Sequence, residues 1–156
     1  DRFFSPVEVA ELRAQPEARQ RARFFDYWTL KEAYIKARGM GLAIPLDHFS
    51  YLLAEGQPIG IAFAPELPDD PASWQFAQLR PTPKHLISLA VRRKDEPDLR
   101  IVVRRTIPLL PSAEVIEPDE VVRRAAASLI SANFVWTSSP NTSIAKRLAL
   151  NMRIAS

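Results

Sequence analysis

The chain of 156 residues has no cysteine, only 4 glycines and only 2 histidines. The absence of cysteine removes disulfides, thiolate nucleophiles, zinc ribbons and cluster ligation together. With His48 and His85 as the sole imidazoles, any metal must be held by carboxylates, which suits a hard cation such as Mg²⁺. Glycines stand at 39, 41, 56 and 60, so a phosphate loop of the form G-x-x-x-x-G-K-[ST] cannot be built. Gly39-x-Gly41 also fails as a dinucleotide fingerprint, because Ile44 occupies the third glycine position. A phosphate ligand must therefore be gripped by side chains. No apolar run of about 18 residues occurs, so no transmembrane helix is encoded. No signal peptide is recognisable either, and the expectation is a cytoplasmic chain with no membrane partner. The chain opens on Asp1 and leads at once into Phe3-Phe4. That start suggests a sequence that begins partway through a longer reading frame.

What is present is ordinary for one globular domain: 47% hydrophobic and 25% charged residues, with 14 prolines. The net charge of +3, from 21 basic and 18 acidic residues, is too small to imply a nucleic-acid partner. Its distribution is uneven. Arg80, Lys84, Arg92, Arg93, Lys94, Arg100, Arg104 and Arg105 face only Asp95, Glu96 and Asp98 in the same stretch. This reads first as the solvated face of a hairpin and second as a surface that docks an acidic partner.

Ser5-Pro6-Val7-Glu8 is a helix start, with serine as N-cap, proline at the first helical position and Glu8 placed to close a capping box. A short helix to about Ala14 follows. A longer one is expected over Glu17 to Arg38, where Phe24, Phe25, Trp28 and Ile35 recur at helical spacing and Gly39 supplies the stop. Arg19, Arg21 and Arg23 in its early turns match the helix dipole poorly. Beyond Gly41 the period changes. Leu46 to Leu53, Ile59 to Phe63, Trp74 to Leu79, His85 to Arg92 and Leu99 to Ile107 read as strands of one antiparallel, hairpin-connected sheet, broken by clusters such as Pro68-Asp69-Asp70-Pro71. The expected fold class is α+β, with the long helix covering one face of a small antiparallel sheet. Pro108 to Pro118 reads as a linker, and Asp119 to Asn133 and Ser143 to Arg153 as helices.

Chemistry concentrates at the end of the long helix. With Phe24 set at zero, Ile35 falls at about 20°, Trp28 at about 40°, Glu32 at about 80°, Phe25 at about 100° and Lys36 at about 120°. This puts Glu32 inside an apolar arc. Burying a lone carboxylate is costly and calls for a cation, a metal or a shifted pKa. Lys36 stands one turn on, and a solvated Glu–Lys pair of about 0.2–0.5 kcal/mol is the plain alternative. Lys31 and Arg38 add donors around the same end. One carboxylate among several cations suits a Mg²⁺-bound polyphosphate.

Trp28-Thr-Leu-Lys-Glu-Ala-Tyr-Ile-Lys36, then Gly39-Met-Gly41-Leu42 and Pro45-Leu-Asp-His-Phe-Ser50, closely resembles the W-(S/T)-x-K-E-(S/A)-x-x-K…G-x-G-L…P-L-D-x-F-S signature of Sfp-type 4′-phosphopantetheinyl transferases. Arg2-Phe3-Phe4-Ser5-Pro6-Val7-Glu8 is similar to the family's R-F-F-S-x-x-E segment. The resemblance covers residues 1–111, and residues 112–156 have no counterpart. It implies transfer of the phosphopantetheine arm of coenzyme A to a serine of an acyl or peptidyl carrier protein, of the kind used in fatty-acid, polyketide or nonribosomal-peptide synthesis. It assigns Glu32 as the Mg²⁺-ligating carboxylate and a general base for the serine. Lys36 would be the lysine facing the coenzyme A phosphates, Lys31, its neighbour in the motif, a second coenzyme A-binding lysine, and Glu8 a glutamate that is either catalytic or in the metal's shell, or simply the cap of its helix. Trp28 reads as a core anchor, and His48 and His85 as structural.

The resemblance also implies one half of a pseudo-twofold enzyme. The family's G-(I/V)-D metal motif, upstream of R-F-F-S, has no place in this chain. The expectation is therefore a chain weakly active or inactive by itself and prone to self-association through an exposed half-interface. A non-catalytic carrier-binding module and a nucleic-acid-binding α+β domain on the basic hairpin are the competing readings.

Overall fold

In a computed structural model of the chain, residues 3–93, 100–106, 113–116, 123–124 and 131–137 are described. They fall into two compact units, 1–96 with 119–127 and 97–118 with 128–156. The first unit carries helices α1 (Pro6–Ala14) and α2 (Glu17–Arg38) and strands β1 (Phe49–Leu52), β2 (Gly60–Phe63), β3 (Trp74–Thr82), β4 (His85–Arg92) and β7 (Arg123–Arg124). The second carries β5 (Arg100–Thr106), β6 (Ala113–Ile116) and β8 (Ser131–Thr137).

The helices form where local chemistry asks for them. The capping box is closed: the Ser5 hydroxyl accepts from the Glu8 N–H at 3.3 Å and Glu8 Oε2 accepts from the Ser5 N–H at 3.0 Å. α2 ends at Gly39, whose φ of 70° is left-handed and whose N–H donates to the Lys36 carbonyl at 3.1 Å. A side chain at this position would be strained, which is why glycine stops the helix here.

The first unit is α+β, as expected, but its strands make two antiparallel sheets rather than one. β1 pairs with β2, and β3 lies between β4 and β7. α2 packs across β3 and β4. The second unit departs further from expectation. β5 pairs antiparallel with β6 and parallel with β8, so β5 leaves the hairpin series altogether. Ala113–Ile116, expected within a linker, is a strand. Arg123–Arg124 and Ser131–Asn133, expected within a helix, are strands too. The β-branched and aromatic run Phe134-Val135-Trp136, paired with Val103-Arg104-Arg105, outweighs the weak helical period of the alanine-rich stretch before it. The expected helix at Ser143 to Arg153 lies outside the described residues.

The core of the first unit is aromatic and centres on Tyr34, whose ring lies 4.7 Å from Phe49, 5.6 Å from Phe63 and 5.0 Å from Trp74. Tyr51 meets Phe76 edge-on at 5.1 Å. Edge and tilted contacts of this kind add about 0.5–1.5 kcal/mol each beyond simple burial. Because Tyr34 stands in the last third of α2, the densest packing grips the stretch of helix that holds the sequence signature.

Candidate active site

The roll of α2 about its axis decides which signature residues meet solvent. Its buried residues are Asp26, Tyr27, Leu30, Lys31, Tyr34 and Ile35. On the angular scale used above they centre near 290°, well away from the arc through Trp28 and Phe25. Phe24 and Phe25 are 37% and 42% exposed. The expectation that Glu32 lies inside a buried apolar arc is therefore corrected: its side chain is 30% exposed and pairs with Lys36, 68% exposed, at 2.9 Å. The two tyrosines, each with an apolar ring and a polar tip, provide the inner face, and phenylalanines take the flank. Trp28 is half-buried against the core, edge-on to Phe3 and stacked with Phe24.

Lys31 occupies the opposite setting from Lys36. Its side chain is 1% exposed, and its ammonium donates to Glu8 Oε2 at 2.9 Å, the Leu46 carbonyl at 2.6 Å and the Phe49 carbonyl at 2.8 Å. It also lies 4.0 Å from the Phe49 ring centre. An ammonium has three donors, and all three are used within the fold. Burial pushes the Lys31 pKa below the usual lysine value, while the Glu8 carboxylate pulls it back up. Glu8 is equally committed, since Oε2 serves Ser5 and Lys31 and Oε1 accepts from the Tyr51 N–H at 2.9 Å. The pair bolts α1 and α2 to β1 and leaves neither residue facing an outside ligand.

Another carboxylate with a buried side chain, Asp69, was legible in the sequence only as part of a turn. It accepts from the Tyr34 hydroxyl at 2.9 Å, Trp74 Nε1 at 3.1 Å, Arg92 at 2.8 Å and the Asp70 N–H at 2.9 Å, and it also pairs with Arg38. Nothing in Pro68-Asp69-Asp70-Pro71 announces partners 31 to 35 residues upstream. Burial raises the Asp69 pKa, but the donors from Tyr34, Arg38, Asp70 and Trp74 outweigh it and hold the carboxyl below the ordinary aspartate value. Its unfolded counterpart, with a pKa near about 3.9, then binds protons first on acidification. The stabilisation from Asp69 is complete above about pH 4 and is lost as the pH falls through the folded value. Urea midpoints followed below pH 4 should drop more steeply in the wild type than in Asp69→Asn, and parallel curves would contradict this origin.

Of the four residues Glu8, Lys31, Glu32 and Lys36, only the last two are accessible. Glu32 Oε1 has no partner among the described residues and is open to a cation. Mg²⁺ commonly takes one or two carboxylates and completes its shell with phosphate oxygens and water, so Glu32 fits as a single protein ligand. Among the described residues no three His, Asp or Glu side chains gather as a metal site. The other residues weighed in the sequence sit apart. His85 Nδ1 bonds the Thr82 hydroxyl at 2.6 Å at the β3–β4 turn, and His48 lies 4.0 Å from Asp47. In the basic stretch, Arg80 pairs with Asp26 at 3.5 Å, Arg92 pairs with Asp69, and Arg93 donates to the Ala72 carbonyl, so these cations are engaged within the fold. No helix among the described residues is long and apolar enough to cross a membrane.

Comparison with known proteins bears directly on this site. A model of the 4′-phosphopantetheinyl transferase superfamily matches residues 1–90, which include Glu8, Lys31, Glu32 and Lys36. A 4′-phosphopantetheinyl transferase of Bacillus subtilis is 43% identical over 68 residues, 44% of this chain and 29% of the relative. The 4′-phosphopantetheinyl transferase Sfp of Bacillus subtilis strain 168 is 32% identical over 97 residues, 62% of this chain and 42% of its own length. HetI of Nostoc sp. strain PCC 7120, also a 4′-phosphopantetheinyl transferase, is 36% identical over 90 residues, 58% of this chain and 35% of its own length. The chain spans well under half the length of these curated relatives. No solved structure gives a significant match. With the match running through the capped helix α1, the buried Glu8–Lys31 pair and the exposed Glu32–Lys36 face, the chain belongs to the 4′-phosphopantetheinyl transferase superfamily.

Proposed function

We propose that the chain supplies the Glu32–Lys36 part of a site that transfers the phosphopantetheine arm of coenzyme A to a serine of an acyl or peptidyl carrier protein. The observation that carries this reading is the separation of roles along α2: Lys31 is consumed by the core, while Glu32 and Lys36 reach solvent side by side. In the reaction, the serine oxygen forms a bond to the β-phosphorus of coenzyme A. The bond from that phosphorus to the bridging oxygen breaks, and adenosine 3′,5′-bisphosphate leaves with the electron pair. Lys36 binds the pyrophosphate and offsets the charge that develops on it. Glu32, directly or through one water, accepts the serine proton. Mg²⁺, held through Glu32 when bound, would supply Lewis-acid stabilisation of the phosphate oxygens. The location proposed for this chemistry is the cytoplasm.

Phe3 (51% exposed), Phe24 and Phe25 join through Trp28 into one exposed apolar face. It would be covered by the remainder of the transferase, and the chain alone is expected to self-associate through it. Sedimentation equilibrium should show association that a Phe24→Ser/Phe25→Ser variant weakens; a concentrated wild-type monomer would contradict this.

The functional reading is tested by titrating the chain with coenzyme A in Mg²⁺ by calorimetry, and by following mass gain of an apo carrier protein. Saturable coenzyme A binding is expected, with slow transfer, because Glu32 offers one metal carboxylate where the resemblance calls for about three. Absence of both binding and transfer would overturn it.

A further inference from the structure

Asp69 lies outside the signature, yet its carboxylate reaches into the helix that presents it. Tyr34 and Arg38, one turn apart on α2, both end on Asp69, whose side chain is 1% exposed. Glu32 and Lys36 are likewise one turn apart, and each stands two residues before one of those anchors. The same backbone turns carry both pairs, so fixing the inner pair fixes the roll of the outer one. Arg38 also reaches across the left-handed Gly39 to Met40 Sδ at 3.8 Å, which extends the anchor into the Gly39–Leu42 bend. From the other side, Asp69 is held by Trp74 and Arg92, which pair across the start of β3 and the end of β4 in the sheet on which α2 packs.

We propose that Asp69 is a positioning residue for Glu32 and Lys36, holding the last two turns of α2 against β3 and β4 so that both side chains meet a pyrophosphate ligand in one fixed arrangement. This rests on the transferase reading above and names a residue that acts on the site through Tyr34 and Arg38. A freely rolling helix end would still carry both groups but would spend binding energy on ordering them.

The test compares the wild-type 156-residue chain with Asp69→Asn and Tyr34→Phe, all well below their melting transitions. Amide exchange in residues 34–40 is expected to rise about tenfold in Asp69→Asn, with Phe76–Leu79 unchanged. The dissociation constant for coenzyme A in Mg²⁺ should rise about tenfold in Asp69→Asn and about threefold in Tyr34→Phe. A lower melting temperature with coenzyme A affinity at the wild-type value would overturn the proposal and leave Asp69 an ordinary stabilising residue. If Asp69→Asn does not fold, Tyr34→Phe, which removes one hydroxyl, carries the same comparison. A wild-type chain that binds no coenzyme A overturns the functional reading alone. The exchange measurement then still decides the anchoring: faster exchange at 34–40 supports it and unchanged exchange overturns it.

Discussion

Replacing Glu8 with glutamine should destabilise the first unit by about 3–5 kcal/mol, the range for breaking a buried ion pair from one side. The lysine ammonium would remain where water cannot reach it, beside an amide able to satisfy only part of what the carboxylate satisfied. Ser5, Lys31 and Tyr51 all donate to Glu8, so the loss falls on α1, α2 and β1 together. Lys31→Met should be similarly severe, because it strands the Glu8 charge and leaves the Leu46 and Phe49 carbonyls without their donor. The combined Glu8→Gln/Lys31→Met variant should cost clearly less than the sum, since neither residue then leaves an unpaired charge. Urea denaturation of the four proteins makes this cycle measurable. Additive losses of under about 1 kcal/mol each would show that the pair is not buried as described. The cycle also separates two roles for Lys31: a phosphate ligand would affect coenzyme A affinity and leave stability almost alone.

Glu32→Gln should behave in the opposite way. The side chain is partly exposed and its partner Lys36 more so, so stability should change by no more than about 0.5 kcal/mol. Transfer, where it can be measured, should fall by about 10²–10⁴-fold, the usual worth of a positioned general base, because an amide neither accepts the serine proton nor holds Mg²⁺ well. Lys36→Ala should weaken coenzyme A binding by about 10–100-fold, in line with about 1.5–3 kcal/mol for a charged hydrogen bond. Side-by-side transfer assays and calorimetry decide this. A Glu32→Gln protein with undiminished turnover would remove Glu32 from the chemistry.

Much of the first unit was legible because its signals are local. Ser5, Pro6 and Glu8 specify a helix start within four residues, and Gly39 specifies a helix end by itself. Strands β2, β3 and β4 follow from short apolar runs bounded by turn residues. Rotation about the axis of α2 was not legible, because periodicity ranks residues by hydropathy and gives full weight to Phe24 and Phe25 but little to Tyr27 and Tyr34. Both tyrosines turn inward, Tyr27 with its ring against Phe4 and Tyr34 with a hydroxyl that finds Asp69. The core position of Lys31 is illegible for a similar reason: nothing local tells a lysine bound for the core from one bound for solvent. The parallel pairing of β5 with β8 depends on residues about 30 positions apart, and no turn signal encodes it.

The contrast between Lys31 and Lys36 also governs how the chain meets reactive small molecules. Five positions apart on one helix, one amine is open to acylating or aldehyde reagents, and the other is sealed behind Glu8 and two carbonyls. Modification of Lys36 would leave the fold intact and, on the proposed transferase reading, block phosphate binding, whereas Lys31 becomes a nucleophile only in a chain that has already opened. The signature therefore holds an open amine and a sealed one within two turns of helix, and the order in which they are modified records whether the fold opened before or after the solvent-facing amine reacted.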